Sequence, residues 1–191
     1  MRGVASPWVG GRVVGEACLG LAAVVCVAAT RAAAVPPGSA AATEALRHCN
    51  AVDRLPDADR DATLARGVAI AEAAVAADAS DALGHFALVC LLGKRMERAG
   101  LSLWQLSDLR RLKGCLDRTL SLAPGDGDAL MAKGALLLGL PRLLGGDATE
   151  AERLLREAVA AQPDNDEARC YLDEARRRRG GPDAPPVRPG C

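Results

Sequence analysis

One spacing recurs three times along the chain and limits what it can fold into. Ala151, Leu155, Ala158 and Pro163 stand at intervals of four, three and five residues. Leu112, Leu116, Thr119 and Pro124 repeat those intervals, and so do Gly67, Ala71, Ala74 and Ala79. Positions four and seven apart share one face of a helix. The prolines that close two of the sets mark where the helix stops. Small residues at Gly67, Ala71 and Ala74, and at Ala151 and Ala158, let a partner helix come close, and larger neighbours such as Leu155 and Leu116 interlock with it. The steps between sets are 45 residues (Ala79 to Pro124) and 39 residues (Pro124 to Pro163). A helical unit repeated at such a period implies stacked helix pairs, no one of which buries its own face alone.

Each set is followed by a second helical stretch, at 82–94, 127–138 and 166–178. The coarse map is a first helix at 41–54 with its partner at 60–77. The second pair is at 82–98 and 103–123, the third at 127–140 and 148–162, and a closing helix runs over 166–178. Half of the 191 residues are hydrophobic, chiefly Ala, Leu and Val, and the aromatics are only Trp8, Trp104, Phe86 and Tyr171. Ala and Leu are strong helix formers, so the expected class is all-α. Positive and negative charges balance at 24 each, which gives no electrostatic footprint for nucleic acid.

The stretch Gly145-Gly146-Asp147 poses a choice between a phosphate loop and a corner between helices. A phosphate loop needs a lysine after its glycines and a strand before them; here there is neither. Asp147 and Glu150 instead have the spacing of a capping-box variant, in which Asp147 accepts from the Glu150 amide and Glu150 reaches back. The sequence therefore predicts a structural turn.

The pattern small-x3-large-x2-small-x4-Pro resembles helix B of the tetratricopeptide repeat. The following helices carry its helix A features: His85 and Leu88, Leu130 and Gly134, Ala168 and Leu172. The family period is about 34 residues, so the steps of 45 and 39 exceed it by 11 and 5. The extra residues fall between helix A and helix B of a repeat. LPRLLGGD (140–147) and DEARCYLDEA (166–175) resemble more narrowly the tetratricopeptide proteins associated with bacterial TRAP transporters, which are exported and in many cases lipoproteins. The resemblance covers roughly 41–178. It implies a short right-handed solenoid of antiparallel helix pairs over 43–179 and a concave surface lined by the first helices. In that register the groove-facing positions are Leu83, Phe86 and Cys90, then Asp128, Met131, Ala135 and Leu138, then Glu167, Cys170 and Glu174. The implied function is that of an exported scaffold or adaptor that docks a protein or peptide, with a TRAP-type transporter component as the implied partner. The alternative is an extracytoplasmic carrier holding a hydrophobic small molecule in the same groove. The stripe also admits a purely internal role, packed on the first helix or on a second copy of the chain in a homo-oligomer.

Residues 1–34 read as an export signal. Arg2 and Arg12 give a basic start, 17–29 is a 13-residue apolar run, and Ala32-Ala33-Ala34 offers a cleavage site. Gly38-Ser39-Ala40 is a second cleavage choice, and Glu16 suggests a start downstream of Met1. An uncleaved anchor and absence of export are the alternatives. A lipid anchor at Cys26 is disfavoured, because Val25 precedes it where lipoprotein signals carry a small residue. Residues 35–42 read as a linker and 180–191 as a disordered tail. Cleavage after Ala34 would leave Cys49, Cys90, Cys115, Cys170 and Cys191. Their spacing supports no zinc or thioredoxin motif. Export permits disulfides. The odd count leaves one thiol over, for which Cys191 is the candidate, while Cys90 and Cys115 read as buried free thiols.

Catalytic material is scarce. His48 and His85 are the only histidines. His85 occupies a packing position, and His48 is a poor metal partner for the adjacent Cys49. Asp57, Asp59 and Asp61 read as capping groups. No catalytic, cofactor or metal site is expected. Trp104 seals an enlarged turn or faces a partner. Arg176–Arg179 complements a helix C-terminus, with contact to anionic lipid or an acidic partner as the sharper alternative.

Overall fold

The computed structural model describes residues 38–99 and 106–180. The expected export signal, Trp104 and the tail beyond Gly180 lie outside them. The chain divides into two units, Met1–Arg31 and Ala32–Cys191, and every described helix belongs to the second. The described residues are all-α: α1 (Ala40–Ala51), α2 (Asp57–Ala77), α3 (Ala82–Ala99), α4 (Leu106–Leu122), α5 (Gly127–Gly139), α6 (Ala148–Ala161) and α7 (Asp166–Arg179). Short 3-10 turns follow α1 at Val52–Arg54 and α5 at Arg142–Leu144.

Polar side chains set the helix starts. Ser39 Oγ accepts from the Ala42 amide at 3.0 Å, so α1 begins at Ala40, inside the stretch read as a linker. Asp126 caps α5, Asp147 caps α6 and Asn165 caps α7 in the same way. Each such cap contributes about 1 kcal/mol. Asp81, 7% exposed, serves two helices. Its Oδ1 accepts from the Gly84 amide at 3.0 Å and its Oδ2 from the Ser39 amide at 3.2 Å. One carboxylate thus starts α3 and anchors the chain entering α1.

The start of α2 differs from expectation. The helix begins at Asp57, after Pro56, with no side-chain cap. Asp57 and Asp59 therefore lie inside the first turn, where carboxylates meet the positive end of the helix dipole. Asp57 and Asp61 each bond Arg98 of α3 at 2.8 Å. These aspartates pair two helices, and do not cap one.

Consecutive helices lie against each other, and the third helix of each triad closes the first two. α1 packs on α2, and both pack on α3; α5 packs on α6, and both contact α7. α3 packs along α4, whereas α4 meets α5 over a shorter stretch. Ala45, Cys49, Val52, Leu64, Val68, Ala71, Leu88 and Leu91 form one core among α1, α2 and α3. Leu138, Ala151, Leu155, Leu172 and Ala175 form another among α5, α6 and α7. Leu92, Leu112, Leu116 and Ala129 bridge the middle.

Two glycines sit where helices touch. A Cβ on Gly67 would lie 2.6 Å from Leu91 Cδ2 and 3.0 Å from His48 Cβ. A Cβ on Gly134 would lie 2.5 Å from Leu155 Cγ. The small stripe does bring neighbours close, as the Ala-rich composition requires.

Cys49 and Cys90 are joined in a disulfide, with Cα atoms 6.2 Å apart. This corrects the reading of Cys90 as a free thiol. Cys49 is on α1 and Cys90 on α3, 41 residues apart. The sequence places them in different repeats, and only the packing of α1 on α3 brings them together. Cys115 is a half-buried free cysteine, as expected, and burial raises its thiol pKa.

Two outcomes follow from this packing. Gly→Ala at an exposed helix interior normally gains about 1 kcal/mol, but Gly134→Ala should lose about 1–3 kcal/mol through overpacking against Leu155; a higher melting temperature would contradict the close contact. Removing the disulfide in a Cys49→Ser/Cys90→Ser variant should cost about 4 kcal/mol for a loop of this length, measured by denaturant unfolding with the oxidised parent as reference.

Candidate partner-binding surface

The α5–α6 corner answers the question raised by Gly145-Gly146-Asp147. Leu140 ends α5, and Pro141 O accepts from the amides of Leu144 at 2.9 Å and Gly146 at 3.0 Å. Gly145 has φ +93°, which glycine adopts freely. A Cβ on Gly146 would fall 1.9 Å from Leu140 O, so no side chain fits there. Asp147 Oδ1 then accepts from the Thr149 and Glu150 amides at 2.8 and 3.1 Å. The reciprocal half of the capping box is absent. The Asp147 amide donates to Leu137 O at 3.2 Å, and the Glu150 carboxylate pairs with Arg153 instead. The corner spends its amides and its acid on itself, as a structural turn does.

A cleft of about 630 Å³ lies beside this corner, bounded by Leu138, Arg142, Asp147, Thr149, Arg178 and Arg179. Its cations are largely matched within the fold. Arg178 bonds Glu174 at 2.7 Å and donates to Leu138 O. Arg179 donates to Glu152 Oε2. Arg176 and Arg177 approach Glu152, Asp173 and Glu174. The arginine block is therefore a set of ties from α7 to itself, to α5 and to α6.

The nine expected groove residues separate into three groups. Phe86, Met131 and Ala135 are half-buried, and Phe86 and Met131 pack on the middle and last cores with one side. Glu167 is exposed, and Glu174 is half-buried and held by Arg177 and Arg178. The remaining four are internally engaged. Leu138 is 6% exposed inside the α5–α6–α7 core. Leu83 lies against Gly38. Cys90 is bonded to Cys49, and Cys170 is also disulfide-bonded. Asp128, beside them in the same register, is half-buried.

Tyr171 was absent from the expected set and belongs with Met131. It is half-buried against the last core. Its phenol is held above the usual range, first by burial, then by the carboxylates of Glu167 and Glu97. Glu97 is on α3 and Glu167 on α7. The available signal was composition: Tyr171 is the only tyrosine, and it stands one turn from Glu167.

The histidines are accounted for by structure. His85 is buried, and its Nε2 is 3.1 Å from Ala79 O; its Nδ1 has no partner. His48 Nε2 is 3.6 Å from Glu44. Among the described residues no cluster of His, Cys, Asp and Glu could hold a metal ion, and no helix is long and apolar enough to cross a membrane. Neither a scan against models of known protein families nor a search of curated proteins finds a match for the chain.

Glu152 is the electrostatic hub at this end of the molecule. Its side chain is 8% exposed and meets Arg156 at 2.6 Å, Arg176 at 3.8 Å and Arg179. The hydrogen bond from Arg179 holds its carboxyl below the ordinary value. A lowered folded-state pKa adds stability that is complete above the unfolded-state pKa and is lost as pH falls through the folded-state value. Glu152→Gln should therefore lower stability at neutral pH, with the gap to the parent narrowing in acid. Parallel unfolding curves at pH 7 and pH 3 check this, and an unchanged gap would contradict it.

Proposed function

We propose that this chain is an exported, non-enzymatic adaptor of the tetratricopeptide-like helical-repeat type that docks a protein or peptide on the surface shared by α3, α5 and α7. The observation that carries the reading is the triad packing found twice: a helix, its partner, and the next first helix lying against both. The aligned small residues Gly67, Ala71 and Ala74 on α2, and Ala151 and Ala158 on α6, occupy the contact face in each triad. Stacked pairs of this kind curve and present the first helices to a partner. Phe86, Met131 and Tyr171 supply half-exposed anchors there, and aromatic anchors dominate many interfaces. The Cys49–Cys90 disulfide supports an oxidising, extracytoplasmic setting. The resemblance of 140–147 and 166–175 names a TRAP-type transporter component as the partner. The histidines and most carboxylates are engaged in packing, caps and ion pairs, which supports a binding role over a catalytic one.

The test places a photo-crosslinking residue at Phe86, Ala135 or the outward-facing Arg153 of the full chain in its native envelope. One polypeptide captured at Phe86 and Ala135 but not at Arg153 is the expected result. Equal capture at all three positions overturns the groove. A co-purifying lipid in native mass spectra, displaced by Ala135→Trp, would support the carrier instead.

A further inference from the structure

The turn that joins α5 to α6 presents apolar side chains to water. Leu143 is 99% exposed and Leu144 40%; among the described residues the only other large apolar side chain so open is Leu106. Pro141, beside them, is exposed as well. The turn is fixed from within. Pro141 O accepts two amides, and the Gly145 amide donates to Arg142 O at 3.0 Å. Lys113 of α4 donates its Nζ to Leu144 O at 3.1 Å. Leu143 is therefore held in solvent on a tied corner.

Cations collect at this apex. Arg142 is exposed and has no ion pair among the described residues. Lys113 brings its ammonium to the turn. The cleft of about 630 Å³ opens beside it, lined by Arg142, Arg178 and Arg179, with Asp147 as its only acid. Asp147 Oδ1 is already held by two amides. Arg178 and Arg179 pair with Glu174 and Glu152, yet their side chains stay 49% and 47% exposed. A guanidinium carries five N–H donors. Arg178 commits its Nε and Nη1, and Arg179 only its Nη1.

We propose that this corner docks on an anionic phospholipid surface. Leu143 and Leu144 enter the boundary between headgroups and acyl chains, while Arg142 and the open donors of Arg178 and Arg179 take a lipid phosphate. Two features favour a membrane over an acidic protein. The apolar patch is the few side chains of one turn, far short of the roughly 800 Å² that each partner gives to a stable protein interface. A bilayer asks for less: a small apolar wedge, with cations at headgroup level that an anionic leaflet attracts. Attachment through one wedge and a few charges is weak and reversible. Phe86, Met131, Ala135 and Tyr171 do not line this cleft, so docking at the corner does not depend on a partner at α3, α5 and α7.

The test labels the full chain, in a Cys115→Ala background, with an environment-sensitive fluorophore at Leu143→Cys. A control chain carries the label at Arg66→Cys, an exposed position on α2. The probes are phosphatidylcholine vesicles with and without phosphatidylglycerol. The expected result is a blue shift at 143 only when phosphatidylglycerol is present, and none at 66. Salt, which shortens the Debye length, should remove the shift, as should Arg142→Glu. In unlabelled chains, Leu143→Ser and Arg142→Glu should each lower vesicle partitioning about tenfold or more. Their melting temperatures should match the parent, because both side chains are exposed. Vesicle binding without a shift at 143 assigns the contact to another segment and overturns the proposal. A shift of equal size with both vesicle types removes the role of charge and overturns it too. An equal shift with inorganic phosphate or polyglutamate overturns it in favour of a soluble oxyanion or an acidic protein.

Discussion

Contact between helices at positions without room for a Cβ is the constraint on which this fold depends. Gly67 under Leu91 and Gly134 under Leu155 are the tightest such points. Around them Ala45, Ala71, Ala151 and Ala158 are fully buried. A chain with so few aromatics cannot fill space with large side chains, so it closes the space instead. Packing at this density leaves few alternative geometries. The backbone positions of α1, α2 and α3, and of α5, α6 and α7, follow from that closeness.

Other interactions tie helices that the small residues have already brought together. The Cys49–Cys90 bond clamps α1 to α3. Arg98 links α3 to α2 through Asp57 and Asp61, and Lys133 links α5 to α4 through Asp117 at 2.8 Å. Exposed pairs of this sort contribute about 0–1 kcal/mol each, so they orient more than they stabilise. The junction of α4 with α5 has the least apolar contact of the sequential pairs, and it lies between the two disulfide- or arginine-tied ends.

The half-buried face proposed for a partner was only partly legible. Helical spacing put Phe86, Met131 and Ala135 on one side of their helices, and all three are half-buried, because a 3.6-residue period sets direction regardless of what lies opposite. It could not tell a groove position from one covered by a later element. Leu138 lies under α7, Leu83 under the entry to α1, and Cys90 under Cys49. Each is covered by a segment remote in sequence. Tyr171 was missed because its neighbours Cys170 and Glu174 matched the repeat register, while its own place against the last core forms only once α5, α6 and α7 are packed.

The sequence by itself determined the all-α class, the succession of helices, the cap at Asp147, and the corner at Gly145-Gly146. These depend on neighbours within a few residues, where capping geometry and backbone sterics act. Only the tertiary structure decided which cysteines pair, that Asp57 and Asp61 serve Arg98 instead of capping α2, that Glu150 turns to Arg153, and that Glu152 gathers Arg176 and Arg179 of α7. Apart from the local Glu150 pair, those choices join residues about 25 to 40 apart. Such distances close only once helices are stacked, and no local spacing encodes them.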